Sequence, residues 1–303
     1  NEGICRRHKS RIFSRKDSEV MMGNRNMHAA KRNKNDEFYT QYTDIEREVN
    51  NYWEQLKGKT VYCNTDNYKE SNFVKYFVDN FDKIQLKKLI SLDLDGNCFE
   101  YDGRVKQCSK FKNGDFRSEE SKELLKRCDV VCTNPPFSLF REYVAQLIEY
   151  EKEFLIMGNN NALTYKEIFQ LLKDNKIWLG YHSNKTMEFR LPDYYEKWDR
   201  VDEDGVKYGK VPAISWFTNM DVAKRHEYIP LHKVYKGNED AYPKYDNYDA
   251  INVDRIKDIP RDYEGYMGVP ITIMTKYNPE QFEIFGIMNT GEENKGIRLP
   301  GTP

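Results

Sequence analysis

The chain lacks any CxxC pair, any closely spaced pair of histidines and any long apolar run, and each absence removes a class of function. The six cysteines (Cys5, Cys63, Cys98, Cys108, Cys128, Cys132) and five histidines have no zinc-finger spacing, so no structural metal is expected. Nothing approaches the roughly 18 apolar residues of a membrane span. No charged start followed by an apolar stretch marks a secretory signal. The expectation is a soluble, cytoplasmic protein, with neither membrane nor metal partner.

Net charge is nearly absent too, at −1 from 48 Lys/Arg and 49 Asp/Glu, but it is unevenly placed. Residues 1–35 hold ten Lys/Arg against three Asp/Glu, and the remainder nets −8. A basic arm of this kind either pairs with phosphates, adding sequence-blind affinity, or is a disordered, solubilising tail. Met21 and Met22 precede Gly-Asn-Arg-Asn, so the native reading frame is expected to begin near them. The stop after Gly301-Thr302-Pro303 leaves room for a further C-terminal piece.

What is present is an alternation of strand-like and helix-like segments over about 36–180. Lys59–Cys63, Lys88–Leu92, Asp129–Thr133 and Glu153–Gly158 read as short apolar strands. Between them lie helices: one with Ile45, Val49, Tyr52 and Trp53 on one face, one capped by Ser71, then Glu119–Arg127, Leu139–Tyr150 and Tyr165–Asp174. Thr43 or Asp44 suits the N-cap of the first. A hairpin is expected around Phe99–Val105, and later strands at Ile177–Tyr181 and Pro212–Phe217. Such alternation predicts an α/β fold with a mostly parallel sheet, an antiparallel edge hairpin, and ligands outside the carboxyl ends of the strands. The Tyr-rich stretch 235–266 either stacks on bases or packs over the sheet, and packing fits most of its rings.

The sharpest motif is Asn134-Pro135-Pro136-Phe137, directly after the strand Asp129–Thr133. Alone it is a good turn. At the ligand edge of a sheet it suits methylation of an exocyclic amino group such as N6 of adenine. That nitrogen is a poor nucleophile because its lone pair is delocalised into the ring. The Asn134 side-chain oxygen and the Pro135 carbonyl can accept its two N–H groups, and Pro136 limits where that carbonyl points. Phe137 can stack on a base taken out of the duplex. The reaction is then an in-line displacement, for which positioning supplies roughly 7–11 kcal/mol in favourable cases.

These residues resemble the EcoRI-type adenine-specific DNA methyltransferases. The likeness extends through Asp36–Gln41, Gly114–Ser118, Asn134–Tyr143, Ile177–Gly180, Gly268–Thr272 and Tyr277–Ile284, covering about residues 36–286. It implies a Rossmann-like catalytic sheet dependent on S-adenosyl-L-methionine, with irregular additions for DNA recognition. It implies double-stranded DNA as substrate, a monomer, and restriction-modification beside a cognate endonuclease acting on the same site. Enzymes of that fold carry a Gly-rich loop after the first strand. Here Asn64-Thr65-Asp66-Asn67 stands in its place, where Asn64 and Asp66 are expected at the amino-acid end of the cofactor. Asp93 follows the second strand and either takes the ribose hydroxyls or is a solvated turn acid. Asp115 and Phe116 fall where the resemblance puts an adenine-ring contact. Thr40 falls in the block that closes over the methionine carboxylate.

The expected domains are a tail at 1–35, a catalytic domain at 36–220 with an insertion at about 184–210, and a C-terminal region at 221–303 for DNA recognition and packing. Lys224-Arg225-His226 either reaches phosphates or is solvated surface, and Asn159-Asn160-Asn161 either contacts the base or closes a turn. Alternatives are N6-adenine methylation of RNA, N5-glutamine methylation of protein, and a DNA-binding module without catalysis. The missing Gly-rich loop favours the last, and the intact Asn-Pro-Pro-Phe block opposes it.

Overall fold

The computed structural model describes residues 10–15, 38–246 and 248–288. Apart from 10–15, the expected tail lies outside the described residues, as do both proposed chain ends. The chain divides into two compact units. Among the described residues the larger comprises 38–168 and 177–221, and the smaller 10–15, 169–176, 222–246 and 248–288.

Apart from β1 (Ser10–Arg15), the first strands all belong to the larger unit. They are β2 (Tyr39–Thr40), β3 (Thr60–Asn64), β4 (Lys88–Leu92), β5 (Asn97–Tyr101), β6 (Lys106–Lys110), β7 (Val130–Thr133) and β8 (Glu153–Asn159). β9 (Trp178–Leu179), β10 (Lys185–Arg190), β11 (Arg200–Val201) and β12 (Lys207–Thr218) complete its sheet, ordered β2-β10-β12-β8-β7-β3-β4-β5-β6, with β9 and β11 also on β12. Only β8-β7-β3-β4 is parallel. β3 and β7 are buried along their whole length, as strands covered on both faces must be, which explains their unbroken apolar runs.

The large central sheet is therefore mixed, and the expectation of a mostly parallel one is corrected. The physical reason lies in the connections. A parallel return needs a crossover of a dozen or more residues, which the helices at 72–84 and Phe140–Glu149 supply before β4 and β8. Only Asp93–Gly96 separates β4 from β5, so that pair is antiparallel, and β6 continues the meander. On the other flank β12 runs antiparallel to β8 and β10. Residues 184–210 are thus not a plain insertion, because β10, β11 and the start of β12 build that flank. In β10 only Met187 and Phe189 are buried, the alternation of a half-covered strand.

Helix ends follow local chemistry. The Ser71 side chain accepts from the Phe73 and Val74 amides, and Ser118 caps Glu119–Arg127, whose first turn is acidic and last turn basic. The helix Tyr42–Val49 starts earlier than expected, with Gln41 at its N-cap and no side-chain cap bond, so Thr43 and Asp44 lie inside its first turn. Its buried Glu48 accepts from Tyr52 Oη (2.9 Å) and from the Tyr181 and His182 amides (2.8 and 2.7 Å). Trp216, Tyr62, Tyr143 and Phe154 are fully buried in the core, each large side chain contributing about 1.5–3 kcal/mol.

The smaller unit has β13 (Lys244–Tyr245), β14 (Tyr248–Asn252), β15 (Tyr266–Pro270) and β16 (Phe282–Met288), with sheet order β13-β14-β15-β1-β16. Ser10–Arg15 therefore form a central strand rather than part of a disordered tail. Tyr242 and Tyr245 are buried, and the Tyr235 and Tyr263 rings lie 4.6 Å apart. Arg225 is buried against Asn175 Oδ1 and so is no part of an exposed basic cluster. No helix among the described residues is long and apolar enough to cross a membrane.

Candidate active site

The parallel core fixes where a ligand can sit. From β3 the chain goes to β4 on one side, and β7 pairs with β3 on the other. The loops after β3 and β7 therefore part at a topological switch point, with the loop after β4 beside them. A cavity of about 340 Å³ opens there, within the ~300–1,000 Å³ range of small-molecule sites. Phe38–Thr40, Thr65–Asn67, Ser71–Phe73, Asp93–Asp95, Asn134 and Pro136 line it. Three of these are carboxylates and none is Lys, Arg or His, so the lining favours a cation.

The loop after β3 is stiffened without glycine. Thr65 sits in the left-handed region (φ 71°), which turns the chain sharply. Asp66 then meets two hydroxyls: Ser71 Oγ at 2.5 Å on Oδ1 and Thr133 Oγ1 at 2.5 Å on Oδ2. Thr133 Oγ1 also lies 2.6 Å from the Asn64 carbonyl. Burial outweighs these hydrogen bonds and pushes the Asp66 carboxyl up to about 6.

After β4, Asp93 is buried and accepts from Asn97 twice, from its amide at 2.8 Å and from its side-chain Nδ2 at 2.7 Å. Asn97 Oδ1 in turn accepts from Lys110 Nζ at 2.9 Å. Asp93 is thus a held group rather than a freely solvated turn acid. Gly114 makes this loop possible, because a Cβ there would lie 1.7 Å from the Asp93 carbonyl oxygen.

After β7, Asn134 Nδ2 donates to the Phe38 carbonyl at 2.9 Å. Its Oδ1 is buried and has no hydrogen-bond partner among the described residues. The Phe137 ring is buried and stacks on Phe38, with centroids 6.1 Å apart and planes 29° apart. Phe189 and Tyr195 approach the same Phe38 ring at 5.7 and 5.8 Å. Thr40 is buried, its hydroxyl on Met157 Sδ at 3.3 Å and its carbonyl accepting from Asn72 Nδ2 at 2.8 Å.

Of the residues expected from sequence, Thr40, Asp66, Asp93, Asn134 and Pro136 share this cavity. Asn64 lies beneath it, its Nδ2 on Ser121 Oγ at 3.3 Å, and Pro135 is buried. Asp115 is not among the lining residues; Arg117 clamps it at 2.8 and 2.6 Å, and that guanidinium holds its carboxyl below the usual range. Phe116 is core, edge-on to Tyr143 at 5.0 Å. Asn159 closes a turn, accepting from the Asn161 amide, and Asn160 bonds Asn184 and Ser215. Phe38 and Asn72 were missed. Phe38 stands two residues before Thr40 in an extended segment, and period-2 spacing puts both on one face.

The EcoRI family of adenine-specific methyltransferases matches residues 26–112 and 102–299. The chain belongs to that family. Among curated proteins it is 48% identical over 305 residues to the Type II methyltransferase M.EcoRI of Escherichia coli, spanning 92% of this chain and 93% of that one. It is 43% identical to the Type II methyltransferase M.MgeORF184P of Mycoplasma genitalium, over 89% and 90% of the two chains. It is 42% identical to M.MpnI of Mycoplasma pneumoniae, over 84% and 83%. No solved structure matches it. Family membership makes the chain an adenine-specific methyltransferase.

Proposed function

We propose that the cavity at the carboxyl edge of β3, β4 and β7 is where this adenine-specific DNA methyltransferase holds S-adenosylmethionine and receives a flipped-out adenine. As in the Type II enzymes it resembles, its setting is restriction-modification. The single observation that carries the reading is Asn134: a buried amide fixed by Phe38 through its nitrogen, with its oxygen left unpartnered. A buried acceptor without a donor costs about 1–3 kcal/mol, so a ligand N–H is the natural occupant.

The residues fit the cofactor by charge and size. The three acidic lining residues suit a ligand carrying an ammonium and a sulfonium, and the volume suits one small molecule. Asp66 takes the ammonium and Asp93 the ribose hydroxyls, with Thr40 near the carboxylate. Bound cofactor supplies a methyl carbon made electrophilic by its cationic sulfur. Asn134 Oδ1 and the Pro135 carbonyl accept from the N6 amino group, orienting its lone pair for in-line attack, and Phe137, which does not itself line the cavity, backs the Phe38 ring on which the base would stack. The sheet is read as the Rossmann-like methyltransferase type, with the smaller unit serving DNA recognition.

The test is transfer of labelled methyl from S-adenosylmethionine to adenine-containing duplex DNA. Wild type is expected to yield N6-methyladenine, and Asn134→Ala to lose transfer while still binding cofactor. Equal transfer by both proteins removes Asn134 from the reaction. Transfer to RNA but not to duplex DNA moves the substrate.

A further inference from the structure

We propose that in mildly acidic solution Asp66 of the cofactor-free enzyme is a protonated acid and loses that proton to water when the cofactor's ammonium binds, so that cofactor binding there releases a proton. The inference rests on the assignment of the loop after β3 to the amino-acid end of the cofactor, and it goes beyond that assignment.

Thr133 Oγ1 carries one proton but lies 2.6 Å from the Asn64 carbonyl oxygen and 2.5 Å from Asp66 Oδ2. A carbonyl and an ionised carboxylate both only accept, and the one Thr133 proton cannot serve both; given to Asn64, it leaves none for Asp66. The approach of Asp66 Oδ2 to the same hydroxyl oxygen then needs a second proton between two oxygens that would otherwise repel. On the other side, Ser71 Oγ accepts from the Phe73 amide at 3.1 Å and spends its own proton on Asp66 Oδ1 at 2.5 Å. Thr65 Oγ1, at 3.5 Å from Thr133, does not reach Asp66 Oδ2 in this network. The proton that remains to be supplied belongs to the Asp66 carboxyl.

The surroundings agree. Facing Asp66 are the Cys63 thiol from β3, the Cys132 thiol from β7 and the Tyr143 phenol from the helix Phe140–Glu149. Burial pushes all three well above their ordinary values, so they stay neutral around neutral pH. The charged groups sharing the cavity are Asp93 and Asp95, both acidic. No lining residue offers a cation to hold an Asp66 carboxylate, and its carboxyl is correspondingly pushed up to about 6. An incoming ammonium is the missing partner. The O–H bond of Asp66 breaks, its proton passes to bulk water, and the carboxylate accepts from the ligand N–H instead. Affinity therefore falls about tenfold per pH unit below roughly pH 6 and levels above it.

The test uses the full chain without DNA and S-adenosylhomocysteine, which has the ammonium and does not react. Calorimetry in two buffers of different ionisation enthalpy counts protons. Release is expected to approach one per site near pH 5 and to vanish near pH 7.5, with affinity following the tenfold slope. Infrared difference spectra near pH 5 are expected to contain a protonated-carboxyl band that S-adenosylhomocysteine removes and that Asp66→Asn lacks. That variant mimics the protonated acid and keeps the thermal melting of wild type or better. Binding with no proton release across this range, or a carboxyl band unchanged in Asp66→Asn, overturns the proposal alone. A folded chain that binds no S-adenosylhomocysteine at any pH overturns the loop assignment and this inference with it.

Discussion

Replacing Asp66 with asparagine should make the protein more stable at neutral pH, and less so in acid. The side chain keeps its shape. Its Nδ2 can donate to Thr133 Oγ1 and its Oδ1 can accept from Ser71 Oγ, the two contacts the acid makes now. What changes is titration. In the folded protein the Asp66 carboxyl sits at about 6, against an ordinary value of about 3.9 in the unfolded chain. The folded state therefore keeps its proton to higher pH than the unfolded state. The stability this confers is fully present below about pH 4 and is lost as pH rises through about 6, a total of about 3 kcal/mol. Asparagine never ionises and escapes that loss. Urea unfolding of wild type and Asp66→Asn at pH 4.5, 6 and 7.5, analysed by linear extrapolation, is expected to yield a gap that is small in acid and opens to about 3 kcal/mol at pH 7.5. A gap that does not change with pH, or a variant less stable at pH 7.5, refutes the reasoning. Stability gained at the expense of a ligand group is the usual trade at functional sites.

Three further outcomes are expected. Glu48→Gln should lower unfolding free energy by about 2–4 kcal/mol in urea titrations, because the new NH₂ must face a backbone N–H of Tyr181 or His182 that a carboxylate accepts from. Gly114→Ala should weaken S-adenosylhomocysteine binding about tenfold or more in calorimetry. Its Cβ would meet the Asp93 carbonyl at 1.7 Å, backbone that no rotamer change moves aside, and a tenfold loss is only about 1.4 kcal/mol. Phe38→Ala should reduce kcat in the methyl-transfer assay by about three- to tenfold, the worth of one ring pair of about 0.5–1.5 kcal/mol, with Phe38→Tyr close to wild type. Unchanged kcat in Phe38→Ala would remove the ring from the site.

The parts of the fold legible in the sequence were those whose physics is local. Lys88–Leu92 and Glu119–Arg127 have the bounds read from their pattern, and Ser71 caps its helix through its own hydroxyl. β3 and β7 were visible because strands buried on both faces leave unbroken apolar runs. β10 was not, because Lys-Thr-Met-Glu-Phe-Arg buries only two of its six side chains and reads as polar chain until a partner strand is known. The same holds for Ser10–Arg15, whose place between β15 and β16 depends on partners more than 250 residues away. At the site, Asn134 and its neighbours stood out because three chemically unusual residues follow a strand. Phe38 did not, since its contribution to Asn134 is a main-chain carbonyl, and a carbonyl leaves no trace in residue identity. The Asp115 expectation came from resemblance, and the Arg117 clamp two residues on was open to a reading of Asp-Phe-Arg.

If Asn134 receives the base as proposed, its bond to the Phe38 carbonyl also bears on which bases the enzyme turns away. An amide free to rotate can offer either its oxygen or its nitrogen to a visitor. Here the nitrogen is committed, so rotation would set the Asn134 oxygen against the Phe38 oxygen and is disfavoured. Asn134 consequently presents a lone pair and not an N–H. A base with an amino group at this position is welcomed, and one with a keto oxygen, as in hypoxanthine or guanine, meets lone pair against lone pair. On the same reading the fixed polarity would act on the product: a singly methylated nitrogen has only one N–H left for the two proposed acceptors, so the finished base would be held less firmly than the one that entered.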